Sequence, residues 1–297
     1  MTARLNIGCG TVCHPDWINL DIHPSVSYVR QWDATRELPC GDGEVDACYA
    51  SHVIEHLPHA DAEGLLRQSH RVIKDRGIVR IVVPDLEGLV REYVSVLARV
   101  DKGDNQAFAD HEWIVMELLD QMVRTRSGGE MLRYLTSETI SNEKFVRSRI
   151  GADADDMMKR SPVSTESSLS TVQHGLGRCV RDALFQTRDP RRFIMRVARY
   201  ACEEFAILFR GALLGKQGLD AIREALFRTS GECHRWMYDR IALERVLERS
   251  GFSNVLVCRA FESQIEGFAS YGFDVVNGRI RKPDSLFMEA VKQSSSA

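Results

Sequence analysis

The first ninety residues alternate short apolar runs with polar turns. The run at 4–7 leads into Gly8-Cys9-Gly10, and further apolar runs cover residues 17–22 and 45–50. Glycine, proline and aspartate bound these runs, as is typical of buried strands. The pattern therefore predicts that each strand ends at a loop able to carry functional side chains.

A helical period follows the third predicted strand. Between Asp61 and Lys74 the apolar residues recur on one face, so the pattern predicts a helix with Asp61 as its N-cap and Gly77 as its left-handed exit. A buried strand is predicted over 78–83, before Pro84. Strand, helix and strand joined by short links predict a parallel sheet in an open α/β fold.

The pattern changes to long helical periods after about residue 85, including 107–126 and 191–214, and strand patterns return near the C-terminus. We therefore predict a discontinuous α/β domain over residues 1–90 and 231–297. A large helical insertion over 91–230 is expected to form the acceptor site, a lid or an oligomer contact.

The composition of the chain indicates which classes of binding partner to expect. The chain has 297 residues, 44% apolar and 27% charged, with a formal net charge of -3 and no basic tail, so no nucleic-acid partner is expected. Its eight cysteines form no Cys-x-x-Cys pair, and no signal segment or membrane-length apolar run is visible, which favours a cytoplasmic protein. The arginine-rich amphipathic stretch 191–214 is interpreted as a core or homodimer helix, with peripheral membrane association as the alternative.

His52, Glu55 and His56 form the pattern H-x-x-E-H, a zinc-peptidase signature. A zinc peptidase needs both histidines on one face of a regular helix, whereas Pro58 leaves room here for one turn at most. No metal site is therefore assigned. A zinc metallopeptidase that uses Glu130 as third ligand stays a second alternative function.

The ends of the first two predicted strands suit a nucleoside. Gly8 and Gly10 allow a ligand to approach the backbone, and Asp21 can accept hydrogen bonds from ribose hydroxyls. The third glycine of the dinucleotide fingerprint is replaced by Cys13. A nucleoside without phosphates would not require it.

Four segments in order resemble the class I S-adenosylmethionine-dependent methyltransferases of the type 11 group: 5–10, 19–22, 31–34 and 51–57. The resemblance implies a Rossmann-like α/β fold with a mostly parallel seven-stranded sheet, and S-adenosyl-L-methionine as cofactor. The chain departs from the family by its reduced glycine motif and by the absence of a helix before the first strand. By resemblance, the cofactor-binding residues are Asn6, Gly8, Cys9, Gly10, Asp21, Ile22, Asp33, Ala34, Ser51, His52 and His56.

Segments 112–131, 234–239, 261–263 and 281–286 resemble a bacterial subgroup associated with surface-polysaccharide biosynthesis. This resemblance implies O-methylation of a small-molecule or glycan acceptor. The alternative is a non-catalytic cofactor-fold protein that acts as an interaction module.

Methyl transfer to a hydroxyl benefits from a general base, and histidine is the usual one. We predict His234, His111 and His52 as catalytic candidates, each with a purely structural role as its alternative. The polar face of the 107–126 helix and the returning chain predict the substrate-binding residues Glu112, Glu117, Gln121, Arg124, Trp236 and Tyr238.

Overall fold

Nine strands and eight helices are assigned in a computed structural model that describes residues 3–158, 215 and 217–294. The strands are β1 (Arg4–Ile7), β2 (Ile18–Asp21), β3 (Val29–Gln31), β4 (Val45–Ser51), β5 (Ile73–Pro84), β6 (Phe252–Cys258), β7 (Val275–Val276), β8 (Arg279–Ile280) and β9 (Ser285–Lys292). The helices are α1 (His59–Val72), α2 (Leu86–Asp101), α3 (Ala107–Val123), α4 (Gly129–Leu135), α5 (Glu143–Ile150), α6 (Ala154–Met158), α7 (217–228) and α8 (Arg240–Arg249).

The main sheet has seven strands in the order β3-β2-β1-β4-β5-β9-β6. β1 pairs in parallel with β2 and β4, and β4 with β5, whereas β9 runs antiparallel between β5 and β6. The order reverses between β2 and β4 around β1, which places the open crevice of the sheet at the carboxyl end of β1. The predicted mostly parallel seven-stranded α/β sheet is confirmed.

Both faces of β4 are buried, as expected for a central parallel strand. Cys48 and Ala50 face an aliphatic cluster that includes residues of α1 and α8, whereas Ala47 and Tyr49 face an aromatic cluster. The aromatic members of that second cluster are Trp17, Tyr49, Phe268, Phe273 and Phe287. This two-sided burial is the physical reason for the apolar run at 47–50.

Two boundary predictions are corrected. β5 begins at Ile73, so Gly77 lies inside a strand, and Arg76 has the left-handed backbone with φ +64°. A Cβ at Gly77 would contact the side chain of Ile73 and lie 2.8 Å from the carbonyl oxygen of Asp46, so this glycine serves close packing. Asp61 is not the N-cap of α1, because Pro58 holds that position and Asp61 lies in the first turn.

The end of the chain follows its predicted pattern more closely. The Asp239 side chain accepts the Ala242 N–H over 2.7 Å and caps α8, as expected.

Residues 3–124, 128–158 and 233–294 belong to one compact unit, and 125–127 with 217–232 belong to a second. The first half of the expected insertion therefore groups with the sheet.

The 191–214 stretch lies outside the described residues, so its dimer and membrane interpretations stay predictions. Across the part of the chain that the structure describes, no helix has the length and apolar character needed to cross a membrane.

Candidate active site

The loop after β1 turns through two glycines with left-handed backbone. Gly8 has φ +63° and Gly10 has φ +54°. A Cβ at Gly8 would lie 2.5 Å from Cγ2 of Val53, whereas nothing lies within 4 Å of the Cβ position at Gly10. Gly8 therefore lets the loop pack on the segment after β4, and Gly10 leaves open space in which a ligand can approach the backbone.

Asp21 ends β2 and is bonded to this loop. Its Oδ2 accepts the Gly10 N–H over 2.7 Å, and its Oδ1 accepts the His23 N–H over 2.7 Å. An ionised carboxylate offers about four lone-pair sites, so both oxygens can accept further bonds. The arrangement fits a pair of ribose hydroxyls.

Asp33 lies two residues beyond the end of β3. Thr35 donates its backbone N–H over 2.9 Å and its hydroxyl over 2.8 Å to Asp33 Oδ1, and these bonds lower the pKa of Asp33. Ile22 is 52% exposed, and Ala34 packs at the edge of the core. This end of the sheet therefore offers a charged acceptor beside an apolar surface, which suits an adenine.

A cavity of about 330 Å³ opens at the carboxyl ends of β1 and β4; we call it the first cavity. This volume lies within the range of about 300–1,000 Å³ that small-molecule pockets occupy. Of the predicted cofactor-binding residues, those that line it are Asn6, Gly8, Cys9, Gly10, Ser51, His52 and His56. Asp21, Ile22, Asp33 and Ala34 lie instead at the ends of the neighbouring strands β2 and β3 or just beyond them.

Two of these lining residues have clear local roles. The buried Asn6 donates from Nδ2 to the Val12 carbonyl and to Asn19 Oδ1, each over 3.0 Å, and so holds the loop after β1 in shape. Burial, with a contribution from the negative charge of Asp21, raises the pKa of Cys9 to about 12. Cys9 is therefore a neutral thiol and serves as a small packing residue.

A second cavity of about 160 Å³ shares His52, Asp153 and Lys282 with the first. One part of its wall is apolar and includes Met131, Leu132, Leu135, Ile150 and Met157. Its polar side chains are Gln121, Arg124 and Asp284, together with the three shared residues. A molecule in the second cavity would therefore lie directly beside one in the first.

The six predicted substrate-binding residues do not lie together at one site in the structure. Gln121 and Arg124 line the second cavity. Glu117 lies nearby but is buried, accepts from Trp113 Nε1 over 2.9 Å and pairs with Arg149, so it holds the cavity wall rather than facing the cavity. Within the described residues, Glu112, Trp236 and Tyr238 line neither cavity. Glu112 is exposed, Trp236 is 48% exposed, and Tyr238 is fully buried in the aliphatic core.

The three predicted catalytic histidines also lie at different places in the structure. Among the described residues that line the cavities, His52 is present and His111 and His234 are not. His111 packs beside Tyr93, with ring centroids 5.8 Å apart. His234 is buried, and its ring contacts that of His56 with centroids 4.8 Å apart. Their catalytic roles stay predictions without a direct path to a ligand in either cavity.

The H-x-x-E-H segment does not lie on a regular helix. It begins directly after β4 and ends in a single 3-10 turn, Ile54–His56, and His52 has left-handed backbone with φ +54°. A zinc peptidase would need the regular helix, which the segment lacks. The segment instead contributes His52 and His56 to the first cavity, beside Ser51 at the end of β4.

Glu55 is fully buried among three histidines. His52 Nδ1 lies 3.1 Å and His56 Nε2 3.9 Å from Glu55 Oε1. Burial lowers the pKa of His52 well below its usual value, lowers that of His56, and lowers that of His234 to about 3. The negative charge of Glu55 opposes this shift at His56 and His234, but burial dominates. All three imidazoles are therefore neutral at pH 7.

Asp153, Lys282 and Asp284 are cavity residues that sequence reasoning did not single out. Burial raises the pKa of Asp284 to about 7, and the negative charge of Glu117 adds to the effect, while Arg149 and Lys282 oppose it. A signal was present, because 281–286 is one of the segments that resemble the bacterial subgroup. Asp153 carried no comparable signal.

A comparison with protein families found a match in the first part of the chain. Residues 5–81 match the model of a family described as a methyltransferase domain. Comparison with the curated proteins found no match.

Several solved structures are similar. One is an S-adenosylmethionine-dependent methyltransferase from Archaeoglobus fulgidus, at 25% identity over 31% of this chain and 51% of that chain, with a TM-score of 0.27. A complex of the Haloferax volcanii Trm112 activator with a methyltransferase aligns at 18% identity over 30% of this chain and 47% of that chain, with a TM-score of 0.24. A Thermotoga maritima S-adenosylmethionine-dependent methyltransferase aligns at 11% identity over 99% of this chain and 83% of that chain, with a TM-score of 0.37. The chain thus spans about half the length of the first two.

The strand order, the glycine loop and the acidic strand end define the class I methyltransferase fold. Residues 5–81 of the chain therefore match a methyltransferase domain.

Proposed function

We propose that this protein transfers a methyl group from S-adenosylmethionine to a hydroxyl of a sugar or glycan-type acceptor bound in the second cavity. The observation that carries the proposal is that the two cavities share His52, Asp153 and Lys282. Methyl transfer requires the donor and acceptor atoms to be aligned about 3–3.5 Å apart. Two adjoining cavities with a common wall suit that requirement.

The cofactor would be held by three parts of the chain. The loop at Gly8–Gly10 offers backbone that a ligand can approach at Gly10, Asp21 offers acceptors for the ribose hydroxyls, and Asp33 offers an acceptor for the adenine amino group. When bound, the cofactor supplies an electrophilic methyl group on a positively charged sulfur. Because S-adenosylmethionine has no phosphate to be held, its binding does not require the third glycine of the dinucleotide fingerprint.

The acceptor would be held by side chains on both sides of the second cavity. Gln121 and Arg124 from the end of α3, and Lys282 from the loop before β9, can donate hydrogen bonds to hydroxyl or acidic groups. The apolar wall, with Met131 and Leu135, can contact the C–H face of a sugar ring and exclude water. These features favour a sugar that carries an anionic substituent.

Asp284 is the residue that we assign as general base. It lines the second cavity, and its pKa is raised to about 7, so it is partly ionised and able to accept a proton near neutral pH. A base is most effective when its pKa lies near the working pH. His52 lies at the junction of the cavities, where we assign it a positioning role. Its Nδ1 lies close to Glu55, and its Nε2 lies 3.0 Å from Ser285 Oγ.

The test is a product assay. The purified protein is incubated with S-adenosylmethionine and, separately, with neutral sugars, uronates, sugar phosphates and nucleotide sugars, and products are analysed by mass spectrometry with fragmentation. We expect methylation on oxygen of an anionic sugar, at a rate greatly reduced in Asp284→Asn. Cofactor binding without turnover of any sugar, or methylation of an amine or carbon acceptor instead, would contradict the proposal.

A further inference from the structure

The pocket around Glu55 contains an unusual concentration of polar atoms without hydrogen bonds. The described residues include eight buried side-chain nitrogen or oxygen atoms that lack a hydrogen-bond partner. Three of them belong to this cluster: both carboxylate oxygens of Glu55, of which Oε1 lies 3.1 Å from His52 Nδ1 without hydrogen-bond geometry, and Nδ1 of His234. Proteins rarely leave such atoms unsatisfied, because each costs about 1–3 kcal/mol. Their convergence indicates that something binds between them.

The donor atoms have the composition of a transition-metal site. Glu55, His56 and His234 each offer one ligand atom, and these three atoms lie within 4.8 Å of one another. Glu55 is fully buried and His234 is 4% exposed. Two imidazoles and a carboxylate, with a fourth position left open, form a recognised ligand set for Zn²⁺ and similar ions.

Neighbouring groups orient these ligands. His56 Nδ1 lies 3.4 Å from the Cys233 carbonyl oxygen, which leaves its Nε2 directed towards Glu55. His52 Nε2 lies 3.0 Å from Ser285 Oγ, and its Nδ1 lies 3.1 Å from Glu55 Oε1. The backbone carbonyl of Glu55 accepts the N–H groups of Arg235 and Trp236 and fixes His234 beside it. Such outer contacts are typical of metal-bound histidines.

We propose that Glu55, His56 and His234 bind one divalent first-row transition-metal ion. His56 lines the first cavity, so an ion can enter from there and present its open position towards that cavity. The proposal departs from the sequence-based expectation of no metal. It does not depend on the sugar acceptor, because it concerns binding of the ion alone.

The test measures metal binding directly. Tag-free protein is treated with a chelator, dialysed, and titrated with Zn²⁺ by calorimetry and with Co²⁺ by visible absorption. We expect one ion per chain, a Co²⁺ spectrum with nitrogen and oxygen ligation, and a higher unfolding temperature in the presence of Zn²⁺. Glu55→Gln and His234→Ala should each weaken binding by about 100-fold or more, since loss even of an outer contact costs 10- to 100-fold.

Matched controls come from histidines outside the cluster. His59→Ala, at the exposed start of α1, and His111→Ala, on α3, should leave stoichiometry and affinity unchanged. Glu55→Gln also keeps the side-chain volume and removes a buried charge, so the metal-free variant should be at least as stable as the parent. If His234→Ala does not fold, Glu55→Gln and His56→Asn decide the question.

The absence of binding by the parent protein would overturn the proposal. So would equal affinity in the parent and in Glu55→Gln, because the ion would then sit elsewhere. Neither result depends on methyl transfer, so failure of this site and failure of the proposed function can be told apart.

Discussion

The backbone N–H of Gly10 donates to Asp21 Oδ2 over 2.7 Å, which joins the loop after β1 to the end of β2. The two parts of the predicted cofactor site are therefore one hydrogen-bonded unit. Any change at Asp21 acts on the shape of the loop as well as on the ribose. The two effects can be separated by choosing substitutions that keep or remove an acceptor.

Asp21→Ala should weaken S-adenosylmethionine binding by about 100-fold or more, because hydrogen bonds to a charged group contribute about 1.5–3 kcal/mol each. Asp21→Asn keeps one acceptor for the Gly10 N–H and should bind with intermediate affinity. Calorimetric titration measures both. If Asp21→Ala binds as tightly as the parent, the ribose assignment is wrong.

Gly8→Ala should destabilise the fold for two reasons that a double-mutant cycle can separate. The new Cβ would lie 2.5 Å from Cγ2 of Val53, and the backbone at φ +63° is strained for alanine. Val53→Ala in the same chain removes the contact but not the strain, so part of the lost stability should return. Urea denaturation gives the four free energies of unfolding. Strict additivity would show that the contact with Val53 contributes nothing.

Methyl transfer should depend on pH through Asp284. The pKa of its carboxyl is raised to about 7, and only the ionised form can accept a proton. The rate of turnover should therefore rise tenfold per pH unit below about 7 and level off above it. Asp284→Asn should lower the rate by about 10²- to 10⁴-fold, the usual contribution of a general base, and give a flat profile.

Lys282 provides a control for that assignment. Its positive charge lowers the pKa of Asp284, so Lys282→Met should move the midpoint of the pH profile upward. A profile that keeps its midpoint in Lys282→Met and persists in Asp284→Asn would assign the titration to another group.

Arg80→Met should cost about 3–5 kcal/mol of unfolding free energy, the loss typical of breaking a buried ion pair. Arg80 is fully buried and donates to Asp274 Oδ2 over 2.8 Å and to Glu289 Oε1 over 2.7 Å. Burial raises the pKa of Asp274 even though Arg80 opposes it, whereas at Arg80 burial lowers the pKa but the two carboxylates together raise it. Attraction therefore offsets the desolvation of Asp274 only in part, and removing the arginine leaves two uncompensated acids.

The exposed Arg67, which pairs with Glu63, is the matched control for Arg80. Arg67→Met should change stability by less than about 1 kcal/mol, as is typical of surface pairs. Chemical denaturation of both variants makes the comparison. Similar small losses in both would show that the buried network contributes little.

The sheet could be predicted because each strand is identified by residues that are adjacent in the sequence. Apolar runs ended by Gly8, Asp21 and Ser51 identify strands, and in a parallel sheet those strand ends meet at one edge. The prediction that a cofactor binds at this edge follows from that geometry. The boundary errors at Gly77 and Asp61 have a local cause too, since a glycine can serve close packing or a helix exit, and a proline can precede a helix.

The second cavity and the Glu55 cluster could not be predicted in the same way. They depend on where the chain returns after the helical region, which brings His234 against His56 and Lys282 beside His52. Tyr238 lies near these residues in sequence, yet it points into the core, because the bridge between Asp85 and Tyr238 anchors the backbone there. Helical periodicity predicts a polar face, but not what that face contacts.

β9 lies between β5 and β6, although it is the last strand in the chain. During synthesis on the ribosome, the edge of β5 that pairs with β9 stays unpaired until residue 292 has left the exit tunnel. The emerging polypeptide therefore depends on late, distant pairing, which is slow and leaves an aggregation-prone edge exposed. Overproduction at low temperature, or with chaperones, should favour recovery of folded material.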